Sequence, residues 1–205
     1  MLFSPLSRRL LALALLTSAL AMQGATAAEA PAPDKASAAQ VKAAFLHKFP
    51  SFVDWPQGSF PRADTPLRIG VIGDANVWQE LAEISRDRER DGRPVEVRRL
   101  APGESMAGYH IVYLRAASMT RMADLLANVP EGVLTVADAD GVHPRGSVMS
   151  FFLEDGRVRF GVSLDAAVRQ KLRLSSRLLA VARNVQGLLG VPTLLARVAR
   201  ALSLA

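Results

Sequence analysis

Short apolar runs alternate with amphipathic stretches along the middle of the chain, and this alternation constrains the fold more strongly than any other feature. Runs typical of strands occupy residues 67–72, 94–100, 109–114 and 133–136; the first is apolar enough to be covered on both faces, and the second alternates as a strand with one polar face does. Apolar residues recur at helical spacing after Asn76 and over residues 119–127. Strands that alternate with helices form mainly parallel sheets, because parallel neighbours need a crossover connection. We therefore predict a single α/β domain with helices on both faces of a twisted sheet.

The alternation stops after residue 146, where two strand-like runs follow each other directly. Residues 147–153 read SVMSFFL and residues 157–164 read RVRFGVSL. The turn between them consists of Glu154, Asp155 and Gly156. An Asp-Gly pair at such a place is a strong hairpin signal, because both residue types tolerate positive φ. We therefore predict a sheet of about five to six strands that includes one antiparallel strand.

Aromatic residues recur at helical spacing near the start of the domain, at Phe45, Phe49 and Phe52. Spacings of four and three residues form a stripe that a helix buries against a core. Pro50 interrupts the pattern, so we predict that the helix ends near Phe49 and that a second short turn follows. Three polar side chains are predicted to lie mainly on the opposite face, namely Lys42, His47 and Lys48.

The first 27 residues are typical of a secretory signal peptide. Arg8 and Arg9 precede an apolar run over residues 10–22, and an A-x-A cleavage pattern ends at Ala27. We expect export without lipid attachment, since the chain has no cysteine. The predicted organisation after cleavage is a flexible leader over 28–37, the α/β domain over 38–190 and a tail over 191–205.

Two amphipathic stretches are predicted towards the C-terminus. Apolar side chains recur at helical spacing over residues 172–189, and Gly190 follows, which predicts one long helix. The tail over 191–205 sets leucine and valine side chains opposite Arg197 and Arg200. A basic amphipathic tail of this kind packs on its own domain or makes weak contact with a membrane surface.

The charge of the chain argues against a nucleic-acid partner. The formal charge is +6, and it falls to +4 once Arg8 and Arg9 are removed with the signal peptide. Nucleic-acid recognition needs Lys and Arg clustered on one face, and this mild excess does not indicate such a cluster. We therefore expect no nucleic-acid partner.

The sequence contains no recognisable catalytic, cofactor or metal site. His47, His110 and His143 stand at no metal-ligand spacing from one another, and His110 is expected to have a hydrogen-bonded structural role. His143 lies near Asp138 and Asp140, but the terminal glutamate of a calcium loop is missing. Phosphate-binding loops and nucleophile elbows are also missing, so we expect no enzymatic activity and no cofactor.

A small-ligand pocket is the alternative to a protein-binding function. Open α/β sheets bind ligands at the carboxyl ends of their parallel strands. Gly73, Asp74 and Asn76 follow the strand at 67–72 and would line such a pocket. Gly70 and Gly73 form only a weak nucleotide signal, and Asn76 is also expected to cap the next helix.

Seven segments between residues 41 and 183 match, in order, the segments of one known family. They read VKAAFLHKFPSFVDWP, LRIGVIGD, DGRPVEVRRL, GYHIVYL, LTVADADGV, RGSVMSFFLEDGRVRFGVSLDAA and LRLSSRLLAVAR. The aromatic opening that ends in Trp-Pro, together with FFLEDGRVRF and LSSRLLAVAR, is the specific part of this pattern. On these segments the chain resembles the YfiR family of periplasmic regulators.

The resemblance implies regulation and not catalysis. Members of this family bind the periplasmic sensor domain of a YfiN-type membrane-anchored diguanylate cyclase, repress cyclic-di-GMP synthesis and so restrain biofilm formation. The family's partner-binding surface is apolar with one acidic residue, and it corresponds here to Val142, Glu154 and Phe160. The plainer alternative is that Phe160 belongs to the core and that Val142 is an ordinary loop residue. The sequence leaves open whether the protein forms a homodimer.

The chain departs from the better-known members of the family in its lack of cysteine. A disulfide in those members is linked with stability and with redox control of repression. The matching positions near Val136 and His143 carry no cysteine in this chain. A thiol switch is therefore excluded, and release of the partner is either triggered in another way or does not occur.

Overall fold

The computed structural model describes residues 36–139 and 141–187. The predicted signal peptide, most of the predicted leader and the predicted tail lie outside the described residues. Within the described residues, no helix combines the length and the apolar character that crossing a bilayer requires.

The domain begins with helix α1, Ala38–Lys48, which is held at its first turn by a capping box. Ser37 Oγ accepts a hydrogen bond from the Gln40 amide at 3.2 Å, and Gln40 Oε1 accepts one from the Ser37 amide at 2.9 Å. A 3₁₀ helix over Phe49–Phe52 follows and contains Pro50, as the sequence predicts. The strand β1, Val53–Asp54, comes next and pairs antiparallel with a short strand near the C-terminus.

The described residues form a main sheet of eight strands, which are β2 Leu67–Ile72, β3 Glu89–Arg90, β4 Arg93–Arg99, β5 Ile111–Arg115, β6 Leu134–Asp138, β7 Met149–Glu154, β8 Arg157–Ser163 and β10 Asn184–Gln186. Their order in the sheet is β10-β8-β7-β6-β5-β2-β4-β3. Strands β2, β4, β5, β6 and β7 are mutually parallel, which confirms the predicted α/β class with a mainly parallel sheet. The sheet exceeds the predicted size because the short edge strands β3 and β10 extend it.

Two hydrophobic clusters cover the two faces of the sheet, because alternate side chains of each buried strand point to opposite sides. In β5, Ile111 and Tyr113 belong to the larger cluster, which includes residues of α1 and of helix α2, Ala75–Ser85. Val112 and Leu114 belong to the other cluster, with residues of helix α3, Met119–Ala127. The helices between the strands therefore cover both faces, as the alternation of elements predicts.

The hairpin between β7 and β8 forms at the predicted turn. Asp155 and Gly156 have φ of 50° and 69°, which is the conformation that an Asp-Gly two-residue turn adopts. The two strands pair antiparallel from Met149 to Glu154. This hairpin is the main antiparallel element at one end of the parallel sheet.

The prediction of one long helix over residues 172–189 is wrong. The chain instead forms strand β9, Arg173–Leu174, then helix α5, Ser176–Val181, then the edge strand β10. Ser175 caps α5 by accepting a hydrogen bond from the Leu178 amide at 3.3 Å. Strand pairing prevails over the helical pattern here because the edges of β1 and β8 offer backbone partners to this segment. A further short helix, α4, Leu164–Arg169, connects β8 to β9.

Lys42 and His47, which are predicted to lie mainly on the face of α1 opposite the aromatic stripe, do not lie on an exposed face. Both side chains are buried. Helix α1 packs against the sheet on one side and against α2 on another, so its polar residues are enclosed as well. His47 Nδ1 lies 3.3 Å from Ser85 Oγ of α2, and Lys42 reaches the edge of the sheet.

Candidate functional site

Charged side chains meet where the parallel strands β2, β5 and β6 end. Asp74 follows β2, Arg115 ends β5 and Asp138 ends β6. The chain leaves β2 towards β4 on one side, whereas β5 lies on the other side of β2. A reversal of this kind opens a crevice at the carboxyl ends of the strands, and open α/β sheets bind their ligands there.

A buried ion pair joins α1 to this edge of the sheet. Lys42 Nζ lies 2.6 Å from Asp138 Oδ2, and the two side chains are only 7% and 8% exposed. Tyr113 donates a second hydrogen bond to Asp138 Oδ2, also at 2.6 Å. Burial, reinforced by the charges of Asp138 and Asp74, raises the pKa of Tyr113 far above its ordinary value, so its hydroxyl stays protonated and donates.

Asp74 caps helix α2, where the sequence predicts Asn76 as the cap. Its Oδ1 accepts hydrogen bonds from the amides of Asn76 and Val77 at 3.1 and 3.0 Å. Its Oδ2 accepts a hydrogen bond from Arg115 at 3.0 Å. Burial alone would raise the pKa of Asp74, but the Val77 amide and the Arg115 guanidinium together lower it. The carboxylate of Asp74 therefore already neutralises the N-terminus of α2.

Gly73 allows the turn between β2 and α2 to approach β5 closely. Its φ is +81°, and a Cβ atom at this position would lie 1.9 Å from the carbonyl oxygen of Arg115. Only glycine is compatible with both the conformation and the distance. The tight strand-to-helix turn that Gly73 predicts is therefore present.

The structure brings the three predicted ligand-pocket residues together. Gly73, Asp74 and Asn76 line one open depression of about 600 Å³. Lys42 and Arg115 also line it. Within this depression, Asp74 pairs with Arg115 and caps α2, while Lys42 is engaged with Asp138.

A second depression, on the other side of Lys42 and Arg115, has walls that combine polar and apolar side chains. It has a volume of about 570 Å³ and is lined by three large apolar side chains that are otherwise exposed. These are Met119, Val142 and Leu153, which are 48%, 58% and 54% exposed. Lys42, Arg115 and Asp138 also line it. We call this depression the apolar groove.

The structure separates the three residues that the resemblance assigns to the partner surface. Val142 lies in the apolar groove, as described above. Glu154 lines a different depression with His143, and its carboxylate pairs with Arg183 at 2.8 Å and Arg159 at 3.8 Å. Alternation along β7 explains this separation, because Leu153 and Glu154 point to opposite faces.

Phe160 belongs to the core, so the expectation that it presents an exposed aromatic side chain is wrong. It is 3% exposed, and its ring centroid lies 5.5 Å from that of Phe45 and 5.4 Å from that of Phe49. Phe151 joins the same cluster from the neighbouring strand. Phe160 therefore supports the hairpin from beneath and does not contact solvent.

Sequence reasoning did not identify Met119 and Leu153 as part of a surface. Met119 is the first residue of α3, and Leu153 is the second-last residue of β7. Both belong to elements with buried apolar faces, so periodicity alone places them in the core. The one sequence feature that could have indicated exposure is their position at the end of an element, because neighbouring elements often do not cover side chains there.

The histidines have structural partners. His110 Nδ1 accepts a hydrogen bond from the Arg68 amide at 3.1 Å and its Nε2 donates one to the Ser59 carbonyl at 3.0 Å, which confirms the predicted structural role. His143 lies near Ser147 and Ser150. Burial lowers the pKa of both rings. Over residues 36–139 and 141–187, no three His, Cys, Asp or Glu side chains are placed to hold a metal ion; Asp140 lies outside this part of the chain.

A comparison with protein-family models gives one match over most of the chain. The matching family is described as YfiR/HmsC-like, and the match covers residues 39–183. This range includes all seven segments that carry the resemblance in the sequence, since they lie between residues 41 and 183. No curated protein matches the chain significantly.

Proposed function

The chain belongs to the YfiR/HmsC-like family, and from this membership we propose that it is a periplasmic negative regulator of a membrane-anchored diguanylate cyclase. It binds the periplasmic sensor domain of a YfiN-type cyclase, and binding lowers cyclic-di-GMP synthesis and biofilm formation. The protein acts by association and not by catalysis. Export through the predicted signal peptide brings it to the compartment of the sensor domain.

The apolar groove is the observation that carries this proposal beyond the family match. A single exposed apolar side chain is ordinary on a protein surface, whereas several that line one depression indicate a binding surface. Met119, Val142 and Leu153 come from three separate elements and converge on the groove. Protein interfaces have this composition, with an apolar centre surrounded by polar groups.

We assign the centre of the interface to Met119, Val142 and Leu153. Glu154, which pairs with Arg183 and Arg159 on the opposite side of the hairpin, belongs to the polar rim if the partner also contacts the end of the hairpin. Phe160 contributes indirectly, because it holds β8 against α1. This assignment keeps Val142 and Glu154 from the resemblance and replaces Phe160 by the exposed side chains of Met119 and Leu153.

A charge placed in the groove tests the assignment. We expect Val142→Asp and Leu153→Asp each to weaken binding of the purified periplasmic domain at least tenfold, because a buried carboxylate without a partner opposes association. The binding partner in the assay is the purified sensor domain of a YfiN-type membrane-anchored diguanylate cyclase from the same organism, and affinity is measured by calorimetry. Cyclic-di-GMP is measured in parallel in a deletion strain that carries each variant.

Val181→Asp is the matched control. Val181 is 69% exposed and lies on α5, outside the groove. This variant should bind and repress like the wild type. Normal affinity of both groove variants, or an equal loss in the control, would refute the groove as the interface.

A small-ligand carrier is the second candidate, favoured by the depression that Gly73, Asp74 and Asn76 share. A screen of periplasmic metabolites by thermal shift tests it. Asn76→Ala is the informative variant, because Asp74 also caps α2 and its loss would alter stability directly. A hit whose thermal shift disappears in Asn76→Ala supports the carrier function, and a hit unchanged by this substitution places the ligand elsewhere.

A further inference from the structure

The loop between β6 and β7 crosses the carboxyl edge of the sheet and places consecutive side chains on opposite sides of it. Val142 lines the apolar groove with Met119 and Leu153. His143, the next residue, lines the depression on the other side with Ser150 and Glu154. Because the two residues are adjacent in the chain, contacts that fix the position of His143 also restrict the position of Val142 in the groove.

Both ends of this loop are attached to the sheet. The Ala139 amide donates a hydrogen bond to the Phe151 carbonyl at 3.3 Å. At the other end, Ser147 Oγ accepts a hydrogen bond from the Ala137 amide at 3.3 Å, and the Val148 amide donates to Thr135 Oγ1 at 2.9 Å. Gly141, with φ of +78° and open space around it, gives the intervening segment a sharp and adaptable turn.

The ring of His143 holds the middle of the loop through both of its nitrogens. Nε2 lies 2.9 Å from the Ser147 carbonyl oxygen, and because a carbonyl only accepts, Nε2 carries the hydrogen. Nδ1 is then the acceptor for the hydroxyl of Ser150, which lies 2.7 Å away. Ser150 is 2% exposed and belongs to β7. The ring thus links the loop to a buried position of the hairpin.

We propose that His143 is a positioning residue for the partner surface, because its ring fixes the loop so that Val142 is presented in the apolar groove. The inference rests on the proposed function, since it concerns the same surface. His143 itself faces away from the groove, so it acts on the partner through Val142. Loss of the ring leaves Gly141 and Val142 free to sample other conformations, and binding must then order them again.

Four variants test this inference: His143→Ala, His143→Gln, Val142→Ala and the double variant His143→Ala/Val142→Ala. His143→Gln retains a hydrogen-bond donor for the Ser147 carbonyl, so it serves as the milder variant if His143→Ala does not fold. Hydrogen exchange of residues 141–147 and thermal unfolding are measured on the free protein. The dissociation constant is measured for the purified sensor domain, at a temperature where every variant is folded.

We expect His143→Ala to increase exchange in the loop at least tenfold and to weaken binding at least fivefold, with His143→Gln intermediate in both. Because His143 acts through Val142, the double variant should bind no more weakly than Val142→Ala alone. If the role of His143 were purely structural, His143→Ala would lower the unfolding temperature, and its effect on binding would add to that of Val142→Ala.

Two outcomes would overturn the inference. Loop exchange and affinity that are unchanged in His143→Ala would show that the ring does not hold the loop. Fully additive losses would show that His143 contacts the partner or acts elsewhere. Failure of the wild-type protein to bind any sensor domain would instead refute the proposed function, and the exchange data would still report whether the ring orders the loop.

Discussion

At the scale of single residues, buried polar side chains of α1 depend on partners that are distant in sequence. Lys42 pairs with Asp138, 96 positions later, and His47 contacts Ser85 of α2. A buried ion pair contributes little net stability, but removal of one member leaves a charge without a partner. Tyr113 also donates to Asp138, so the carboxylate retains one hydrogen bond if Lys42 is lost.

Phe160 is predicted to affect stability before it affects binding. Phe160→Ala should lower the free energy of unfolding by about 3–5 kcal/mol, because it leaves a cavity between β8 and the aromatic side chains of α1. Phe160→Leu, which keeps most of the volume, should cost roughly 1 kcal/mol. Urea denaturation measures both values, and an Ala variant as stable as the wild type would contradict the buried position.

His47 is predicted to make the fold sensitive to acid. Burial first, and then the charges of Arg90, Arg88 and Lys48, lower the pKa of His47 from 6.5 to about 4. Between these two pH values the unfolded chain binds the proton and the folded protein does not, so stability is complete above pH 6.5 and falls towards pH 4. The full shift corresponds to a loss of at most about 3 kcal/mol.

Urea denaturation at a series of pH values between neutrality and pH 4 tests this dependence. His47→Gln, which remains uncharged, should reduce the slope of stability against pH. His110 and His143 contribute slopes of the same sign, since their pKa values are also lowered by burial. An identical slope in His47→Gln would show that His47 is not the group responsible.

At the scale of elements, the apolar groove forms where helices and strands end. Helix α3 begins at Met119 and strand β7 ends just after Leu153. Val142, in the loop between β6 and β7, lines the same groove as these two residues. Apolar faces that are buried along most of each element therefore emerge together at the carboxyl edge of the sheet.

The turn between β2 and α2 is predicted to be intolerant of any side chain. Gly73→Ala should destabilise the protein by about 2 kcal/mol or more, because positive φ and the nearby Arg115 carbonyl both oppose a Cβ atom. Gly156→Ala is the control, since its φ is also positive but open space surrounds it. Equal and small losses in both variants, measured by thermal unfolding, would contradict the close approach at Gly73.

At the scale of the whole molecule, stability comes from the two clusters that cover the sheet. The chain has no cysteine, so no disulfide supports these clusters. The larger cluster joins the first helix to the last helix of the described residues, from Leu46 of α1 to Leu178 of α5. Noncovalent packing therefore connects the two ends of the described domain.

Reducing agents are predicted to leave both stability and partner binding unchanged. The absence of thiols removes any redox-sensitive bond from this protein. The unfolding temperature and the affinity for the sensor domain should agree within error with and without dithiothreitol. A redox effect that persists with the partner's own cysteines replaced would contradict this expectation.

The sequence by itself determined the α/β class, the order of the main elements as far as the hairpin and the position of the hairpin turn. These features follow from local periodicity and from the conformations that Pro50, Asp155 and Gly156 allow, and such signals lie within a few residues of each other. The segment after Leu172 was predicted wrongly, because short strands there pair with distant edges and a helical pattern does not report those edges.

Only the tertiary structure decided which side chains form the surface. It buried Phe160, turned Glu154 away from Val142 and brought Met119, Val142 and Leu153 into one groove. It also enclosed Lys42, which the pattern of α1 assigns mainly to the face opposite the aromatic stripe. The physical reason is that burial depends on contacts between elements far apart in the chain, whereas periodicity reports only which residues share a face of one element.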